Sequence, residues 1–180
     1  MKTLAILGGL CMAFSTMASE PYVELDFDEI VGNGPDHIEV EVNSYVLVDI
    51  WLLGNPHDGG LFVYSVTFCN YDRSLEFQGC EYFLLGPGWV GVPPTPGDCI
   101  IVQGADLQFA DCMALPYLCA TVTYRAVEDN SMAEVVGLTG GYDTCGWIGD
   151  LWSEIIGGTV QTGPTGTEES TWGMIKTMFR

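Results

Sequence analysis

Basic residues are scarce in this sequence, and their scarcity limits the partners that the protein can have. The 180 residues include five Lys and Arg against 24 Asp and Glu, which gives a formal net charge of −19. Nucleic acids are bound through basic surfaces that displace counterions from phosphates, so this composition excludes a nucleic-acid partner. An anionic membrane surface is disfavoured for the same reason, whereas cations, basic proteins and neutral glycans remain as ligands.

Histidine and long apolar runs are also scarce. His37 and His57 are the two histidines, and no G-x-S-x-G nucleophile motif is present. The sequence therefore does not indicate a Ser-His-Asp triad, and no pair of acids stands out as a hydrolase centre. We expect a protein that is not an enzyme. After the N-terminal segment, no stretch approaches the roughly 20 apolar residues that span a bilayer.

The first 18 residues have the layout of a secretory signal peptide. Lys2 supplies a positive charge, residues 4–14 are apolar, and the small residues Thr16 and Ala18 precede a cleavage position after Ala18. A lipoprotein acylated at Cys11 is disfavoured because the residue before this cysteine is large. We therefore expect a secreted protein that acts outside the cell or at the cell surface.

Six cysteines remain once this segment is removed, and an even number suits the oxidising conditions outside the cytoplasm. Their spacings of 11, 19, 13, 7 and 26 residues do not match a zinc site, so we expect disulfides. Many connectivities are compatible with six cysteines, and the sequence does not choose among them. The disulfide candidates are Cys69, Cys80, Cys99, Cys112, Cys119 and Cys145.

Short segments of alternating apolar and polar residues recur throughout residues 19–163. In residues 37–43, 61–69 and 120–127, for example, Val, Ile, Tyr or Phe occupies every second position. Turn residues separate such segments at short intervals, and the chain has 23 Gly. This pattern predicts an all-β domain, a Greek-key or jelly-roll sandwich of about eight or nine strands.

Three segments are expected to differ from this pattern. Residues 86–97 contain four prolines and four glycines and predict an irregular loop, and residues 148–156 predict a turn or two of helix. Residues 164–180 predict a linker and a short C-terminal tail helix, because Trp172, Ile175 and Phe179 have amphipathic spacing. The tail is either a sorting, docking or surface-association signal, or an end that folds back or frays.

Two groups of residues suggest ligand chemistry. Exposed tryptophans are stacking platforms for glycans, and the candidates are Trp89, Trp147 and Trp152. The carboxylates of Asp26, Asp28 and Asp36, near the first predicted turn, would offer calcium the oxygen ligands that it prefers. Solvated surface acids are the simpler explanation of these residues, and no other cofactor is expected.

Residues 60–79 read GLFVYSVTFCNYDRSLEFQG, in which an alternating strand ends in Tyr71-Asp72 and a short turn leads to Leu75 and Phe77. This segment resembles the central hairpin of cohesin-like domains, and segments before and after it resemble the other cohesin strands in order. The resemblance implies a jelly-roll-like sandwich that binds rather than catalyses. Apart from the resemblance, Asp72 is expected to accept a hydrogen bond from the backbone of Ser74.

We therefore predict a secreted, non-catalytic binding module. The resemblance implies a protein ligand, because cohesins bind dockerins through one face of a sheet. A carbohydrate-binding module is the first alternative, and a structural subunit of a surface assembly is the second. Tryptophans exposed in a row on one sheet face would favour a polysaccharide, whereas a polar or aliphatic face without aromatic residues would favour an extracellular protein.

Overall fold

Two β-sheets packed face to face make up the computed structural model of the chain. The structure describes residues 20–163 except residues 29, 33, 57–58 and 109–111, so the predicted signal peptide and tail lie outside the described residues. None of the described residues forms a helix of the length and hydrophobicity needed to cross a membrane. The strands are β1 (Tyr22–Asp26), β2 (Asp36–Glu41), β3 (Tyr45–Leu53), β4 (Leu61–Asn70), β5 (Leu75–Tyr82), β6 (Trp89–Val92), β7 (Cys99–Asp106), β8 (Tyr117–Ala126), β9 (Met132–Thr144), β10 (Gly149–Leu151), β11 (Ile155–Ile156) and β12 (Gly158–Gly163).

The chain passes repeatedly from one sheet to the other. Sheet A has the order β11-β1-β3-β8-β5, and sheet B has the order β2-β12-β9-β4-β7-β6, with β10 also paired to β9. The pairs β1/β11 and β2/β12 are parallel, whereas the other strand pairs are antiparallel. The prediction of an all-β sandwich is confirmed.

The core lies between the sheets and follows from the alternation seen in the sequence. In β4, Tyr64, Val66 and Phe68 are fully buried, and they point inward because successive side chains of a strand face opposite sides. Sheet A supplies the opposing layer, which includes Val48 and Ile50 of β3. Complete burial of each such side chain contributes about 1.5–3 kcal/mol to stability.

The turn between β4 and β5 confirms the role predicted for Asp72. Its Oδ1 accepts the N–H of Ser74 at 2.8 Å, and its own N–H donates to Oδ1 of Asn70 at 3.2 Å. The side-chain amide of Asn70 donates to the carbonyl of Leu75 at 3.1 Å. Because β4 lies in sheet B and β5 in sheet A, this segment is a corner between the sheets, not the hairpin that its pattern suggested.

Two predictions of local structure are wrong. Residues 89–92 form β6 at the edge of sheet B, where the neighbouring prolines flank the strand without removing a ladder hydrogen bond. Residues 148–156 contain β10 and β11 instead of a helical turn, because their backbones pair with β9 and β1. With these short strands, the described residues form twelve strands instead of eight or nine.

Four of the six candidate cysteines form disulfides. Cys69 is bonded to Cys99 across the β4–β7 pair, and Cys112 is bonded to Cys145, which follows β9. In the chain-entropy description, closing loops of 30 and 33 residues stabilises the fold by about 3–4 kcal/mol for each bond. Such bonds agree with the expectation of export.

Cys80 and Cys119 remain as thiols, so the expectation that all six cysteines are bridged is wrong. The strand register gives the reason. Cys80 is opposite Val122, whereas the carbonyl of Cys119 accepts the N–H of Phe83, which is three residues after Cys80 and directly follows β5. An offset of three residues is about 10 Å along a strand, and a disulfide needs Cα atoms within about 7 Å.

Candidate docking face of the larger sheet

Sheet B turns one side to the core and the other side to solvent. We call the outward residues of β9, β4, β7 and β6 the sheet B face. Its members alternate with the buried residues of the same strands, and all are partly or fully exposed: Val63, Ser65, Thr67, Val90, Val92, Ile101, Gln103, Ala105, Val136 and Leu138. None of these ten side chains is aromatic or charged, but β9 also turns the charged side chains of Glu134 and Asp143 outward beside them.

The sheet B face has a polar centre and an aliphatic border. Ser65 is paired with Gln103, and the amide Nε2 of Gln103 donates to Oγ of Ser65 at 3.2 Å. Val92 and Ile101 beside them are 51% and 48% exposed, and Leu138 is 49% exposed. Aliphatic side chains that are half exposed on a flat sheet lose water on docking to a protein, which is the usual driving force of association.

A groove of about 420 Å³ deepens one side of the sheet B face. It exists because glycines let strands approach closely: a Cβ on Gly141 would lie 2.6 Å from the carbonyl oxygen of Asp150. A Cβ on Gly149 would lie equally close to Oδ1 of Asp143. The groove is lined by Val63, Ser65, Gly141, Tyr142, Asp143, Gly149, Asp150 and Leu151.

The three tryptophans predicted as glycan platforms do not form a row. Trp89 is 2% exposed and stacks on Tyr64 with ring centroids 6.2 Å apart. Trp152 is 7% exposed, packs on Tyr142 at 4.7 Å and donates its indole N–H to the Ser65 carbonyl at 2.8 Å. Trp147, by contrast, is 70% exposed. Burial therefore leaves Trp147 alone among the three with an accessible ring face.

The three acids predicted as calcium ligands do come together. Each of Asp26, Asp28 and Asp36 can bring a carboxylate oxygen to within 4.8 Å of the other two. Asp26 and Asp36 are buried, and Asp28 is exposed. Burying two of these carboxyl groups has a desolvation cost that hydrogen bonds must offset. Part of it comes from Oδ2 of Asp36, which accepts the N–H of Phe27 at 2.7 Å.

A fourth acid, Glu24, lies beside this cluster and was not predicted. It is 1% exposed, and the N–H of Gly32 is 2.9 Å from both of its carboxylate oxygens. Burial raises the pKa of the Asp36 carboxyl above its usual value, and the charges of Asp28, Asp26 and Glu24 raise it further. Carboxylate oxygens are the ligands that calcium prefers in proteins. The arrangement of these acids is therefore compatible with the predicted calcium site.

Sequence reasoning could find only part of the sheet B face. The alternation in β4 assigns Tyr64 and Val66 to the core, which places Val63, Ser65 and Thr67 outside by elimination. Nothing in the local pattern shows that Ile101 lies next to Thr67, or that Gly141 makes a groove. Thr67 and Ile101, and Ser65 and Gly141, are separated by 34 residues or more along the chain and meet only in the folded sheet.

Comparison with known proteins identifies the fold. No protein-family model matches the sequence, and no curated protein sequence matches it. Among solved structures, the chain is similar to the sixth cohesin of scaffoldin B from Acetivibrio cellulolyticus, determined in complex with a Cel5 dockerin mutant. The TM-score is 0.63 at 16% identity, with 80% of this chain and 99% of that chain covered.

Two further cohesins give the same result. The OlpC cohesin of Clostridium thermocellum, determined with a dockerin, has a TM-score of 0.63 at 9% identity, covering 81% of this chain and 95% of that one. A non-cellulosomal cohesin from Archaeoglobus fulgidus has a TM-score of 0.57 at 12% identity, covering 86% and 98%. The protein therefore has a cohesin-like β-sandwich fold, as its resemblance implied.

Proposed function

We propose that the protein is a secreted, non-catalytic module that binds another protein through the sheet B face. The observation that carries this proposal is the chemistry of that face, in which Ser65 and Gln103 are surrounded by half-exposed aliphatic side chains. A face without aromatic residues suits a protein surface better than a sugar ring, which is recognised largely by stacking on aromatic rings.

Two of the similar cohesins were solved with dockerins bound, which supports a protein partner for this chain. The partner that we infer is a dockerin-type module or another protein of complementary charge. The net charge of −19 favours a partner whose docking surface is basic or neutral. Export is supported by the predicted signal peptide and by two disulfides, which persist in oxidising compartments.

The test uses the chain from residue 19 onward, immobilised and probed with a panel of purified dockerin modules. Val92→Asp and Ile101→Asp would each place a charge on the aliphatic border of the sheet B face. For any dockerin that binds, we expect each substitution to weaken binding about tenfold or more, because an unpaired charge would be desolvated at the interface. Surface plasmon resonance would measure the change.

Leu47→Asp is the matched control. Leu47 is 55% exposed on the outer side of sheet A, so it is about as accessible as Val92 but lies on the opposite side of the sandwich. Binding that is weakened by Leu47→Asp and not by Ile101→Asp would contradict the assignment of the face. Failure to bind any dockerin, together with retention of a polysaccharide on a glycan array, would instead support the carbohydrate-binding alternative.

That alternative has one specific observation in its favour, which is the 70% exposure of Trp147. A single exposed indole can stack on one sugar ring. It does not form the extended platform that we expected for a polysaccharide, so protein binding remains the function that we propose. The structural-subunit alternative has no comparable observation in the described residues.

A further inference from the structure

The turn between β9 and β10 holds an aromatic residue in an unusual backbone conformation. Trp147 has φ of +64°, in the left-handed region that glycine and asparagine adopt readily and bulky residues rarely do. A tryptophan there is also 70% exposed, although large apolar side chains gain by burial. Residues with a strained backbone cluster at functional sites, so a strained and exposed tryptophan indicates a role in binding a ligand.

The surrounding structure fixes this turn. The N–H of Trp147 donates to the carbonyl of Thr144 at 2.8 Å, and the N–H of Thr144 donates to the carbonyl of Ile148 at 2.9 Å. Cys145 donates its N–H to the carbonyl of Gly60 at 3.0 Å and is bonded to Cys112. The backbone of the turn that carries Trp147 is therefore held in place, which reduces the entropy lost when a ligand binds there.

The ring of Trp147 rests on Phe62 with their centroids 5.1 Å apart, and two other apolar side chains of the same hairpin are exposed. Ile148 is 56% exposed and Leu151 is 71% exposed. Gly149, Asp150 and Leu151 of β10 line the groove together with Val63 and Ser65 of the sheet B face. The hairpin therefore continues the surface that we propose for protein binding.

The charge of the groove indicates what this part of the surface accepts. Asp143 and Asp150 line it, and no Lys or Arg is among its lining residues. Arg73 and Arg125 are the only Lys or Arg residues in the described part of the chain, and neither belongs to the groove. A ligand group placed there would gain from positive charge and would lose from negative charge.

We propose that the β9–β10 hairpin determines which partner proteins bind. It would recognise a cationic residue that lies next to an apolar residue in the partner. Trp147 and Leu151 would receive the apolar side chain, and Asp143 and Asp150 would receive the Lys or Arg. This inference rests on the proposed function and deepens it, since it names the partner chemistry read at one side of the sheet B face. Tryptophan is the residue most often found to dominate a protein interface.

The test selects peptides on the full chain from residue 19 onward, using a random 12-residue library displayed on phage. We expect the enriched peptides to carry Lys or Arg beside an aliphatic or aromatic residue. Trp147→Asn should weaken their binding about 30-fold, since asparagine keeps the left-handed backbone but removes the indole. Asp150→Asn should weaken it about fivefold and reduce its dependence on salt, and Glu81→Gln on β5 is the charge control.

Thermal melting separates recognition from a purely structural role of Trp147. If the indole serves recognition, Trp147→Asn and Trp147→Gly should melt within a few degrees of the parent chain or above it, because both residues relieve the strained φ. A marked loss of stability with unchanged peptide binding would overturn the inference. Acidic or charge-free peptides, or a library that yields no enrichment, would overturn it as well.

One pattern distinguishes failure of this inference from failure of the proposed function. Peptides whose binding is lost with Ile101→Asp but kept with Trp147→Asn would leave the sheet B face as the binding surface and remove the hairpin from it. Peptides that are insensitive to both substitutions, but lost with Leu47→Asp, would contradict both proposals.

Discussion

Cys80 and Cys119 show how strongly the environment of a single residue controls its chemistry. Both thiols belong to the core region of sheet A, and Cys119 is completely buried. Burial raises the pKa of the Cys80 thiol to about 11, and it raises the pKa of the Cys119 thiol further. Because the thiolate is the reactive form, both cysteines should be inert in the folded protein at neutral pH.

Thiol titration tests this prediction and the disulfide assignment together. In the chain from residue 19 onward, we expect two reactive thiols with Ellman's reagent in denaturant. In the native protein at pH 8, Cys80 should react much more slowly than an unhindered model thiol, since burial raises its pKa to about 11. Its rate should keep rising as the pH approaches 11.

The variant Cys119→Ser is the control and should leave one thiol in denaturant. A denatured parent chain with no titratable thiol would show that Cys80 and Cys119 form a third disulfide, contrary to the strand register. A fast native reaction at pH 8 would contradict the burial of Cys80.

At the scale of single elements, one edge strand of each sheet carries acids that discourage strand addition. β2 is the outer strand of sheet B and includes the exposed Glu39 and Glu41 as well as Asp36. β5 is the outer strand of sheet A and includes the exposed Glu76 and Glu81. Charged edge strands resist pairing with another chain. Recognition by strand addition is therefore disfavoured at these two edges.

The connection between β1 and β2 is the second element with a specific chemical property. It brings the carboxylates of Asp26, Asp28 and Asp36 together beside Glu24. The carboxylate of Glu24 accepts the backbone N–H of Gly32. Carboxylates crowded at this distance repel one another, and a bound divalent cation would remove that repulsion. The connection should therefore be more stable in calcium if these residues are ligands.

We predict that calcium raises the melting temperature of EDTA-treated protein. At about 100 times its Kd, a ligand that binds only the native state adds about 2.7 kcal/mol, which is about 5–10 °C for a domain of this size. Differential scanning calorimetry would measure the shift. The exposed Asp28→Asn should abolish it without unfolding the protein, whereas Glu39→Gln on β2 should not change it. Equal melting temperatures with calcium and with EDTA would contradict the site.

At the scale of the whole molecule, the charge imbalance is the dominant property. A net charge of −19 on 180 residues keeps copies of the chain apart, but it also destabilises the compact state through self-repulsion. The two sheets and two disulfides must hold the sandwich against this repulsion. Cations and basic partners are the natural ligands of such a surface.

We predict that sodium chloride stabilises the protein. Raising the ionic strength from about 0.01 M to 0.15 M shortens the Debye length from about 30 Å to about 8 Å, which screens repulsion between acids on different strands. The melting temperature, measured in EDTA to exclude calcium, should rise by a few degrees. An uncharged osmolyte at equal osmolarity is the control. A melting temperature that falls with salt would show that attractive pairs outweigh repulsion.

Much of the architecture could be predicted from the sequence because strand alternation is a local property. Tyr64, Val66 and Phe68 alternate with polar or smaller residues, and this alone assigns one side of β4 to the core. The turn at Asp72 was likewise predictable, since its hydrogen bond to Ser74 spans two residues. The all-β class follows from such local signals, whereas the cohesin-like order of strands was implied by the resemblance of residues 60–79 and their flanking segments.

The candidate site could be predicted only in part, because a residue's exposure depends on what packs against it. Trp89, Trp147 and Trp152 all lie in Gly-rich or polar segments, yet Tyr64 and Tyr142 cover two of them and leave the third exposed. The sequence pattern likewise did not predict that residues 89–92 form a strand. This strand depends on pairing with β7, which is separate in sequence.

The fold class, the acidic charge and the inward side of each long strand could be predicted from the sequence, since these depend on composition and on neighbours within a few residues. Tertiary structure decided which cysteines are bonded, which tryptophan is exposed and where glycines open a groove. The disulfides and the burial of Trp89 and Trp152 need residues that are far apart in the chain to meet, as Cys112 meets Cys145 across 33 positions. Local sequence patterns restrict these long-range contacts but do not specify them, because many different strand pairings would bury the same apolar residues.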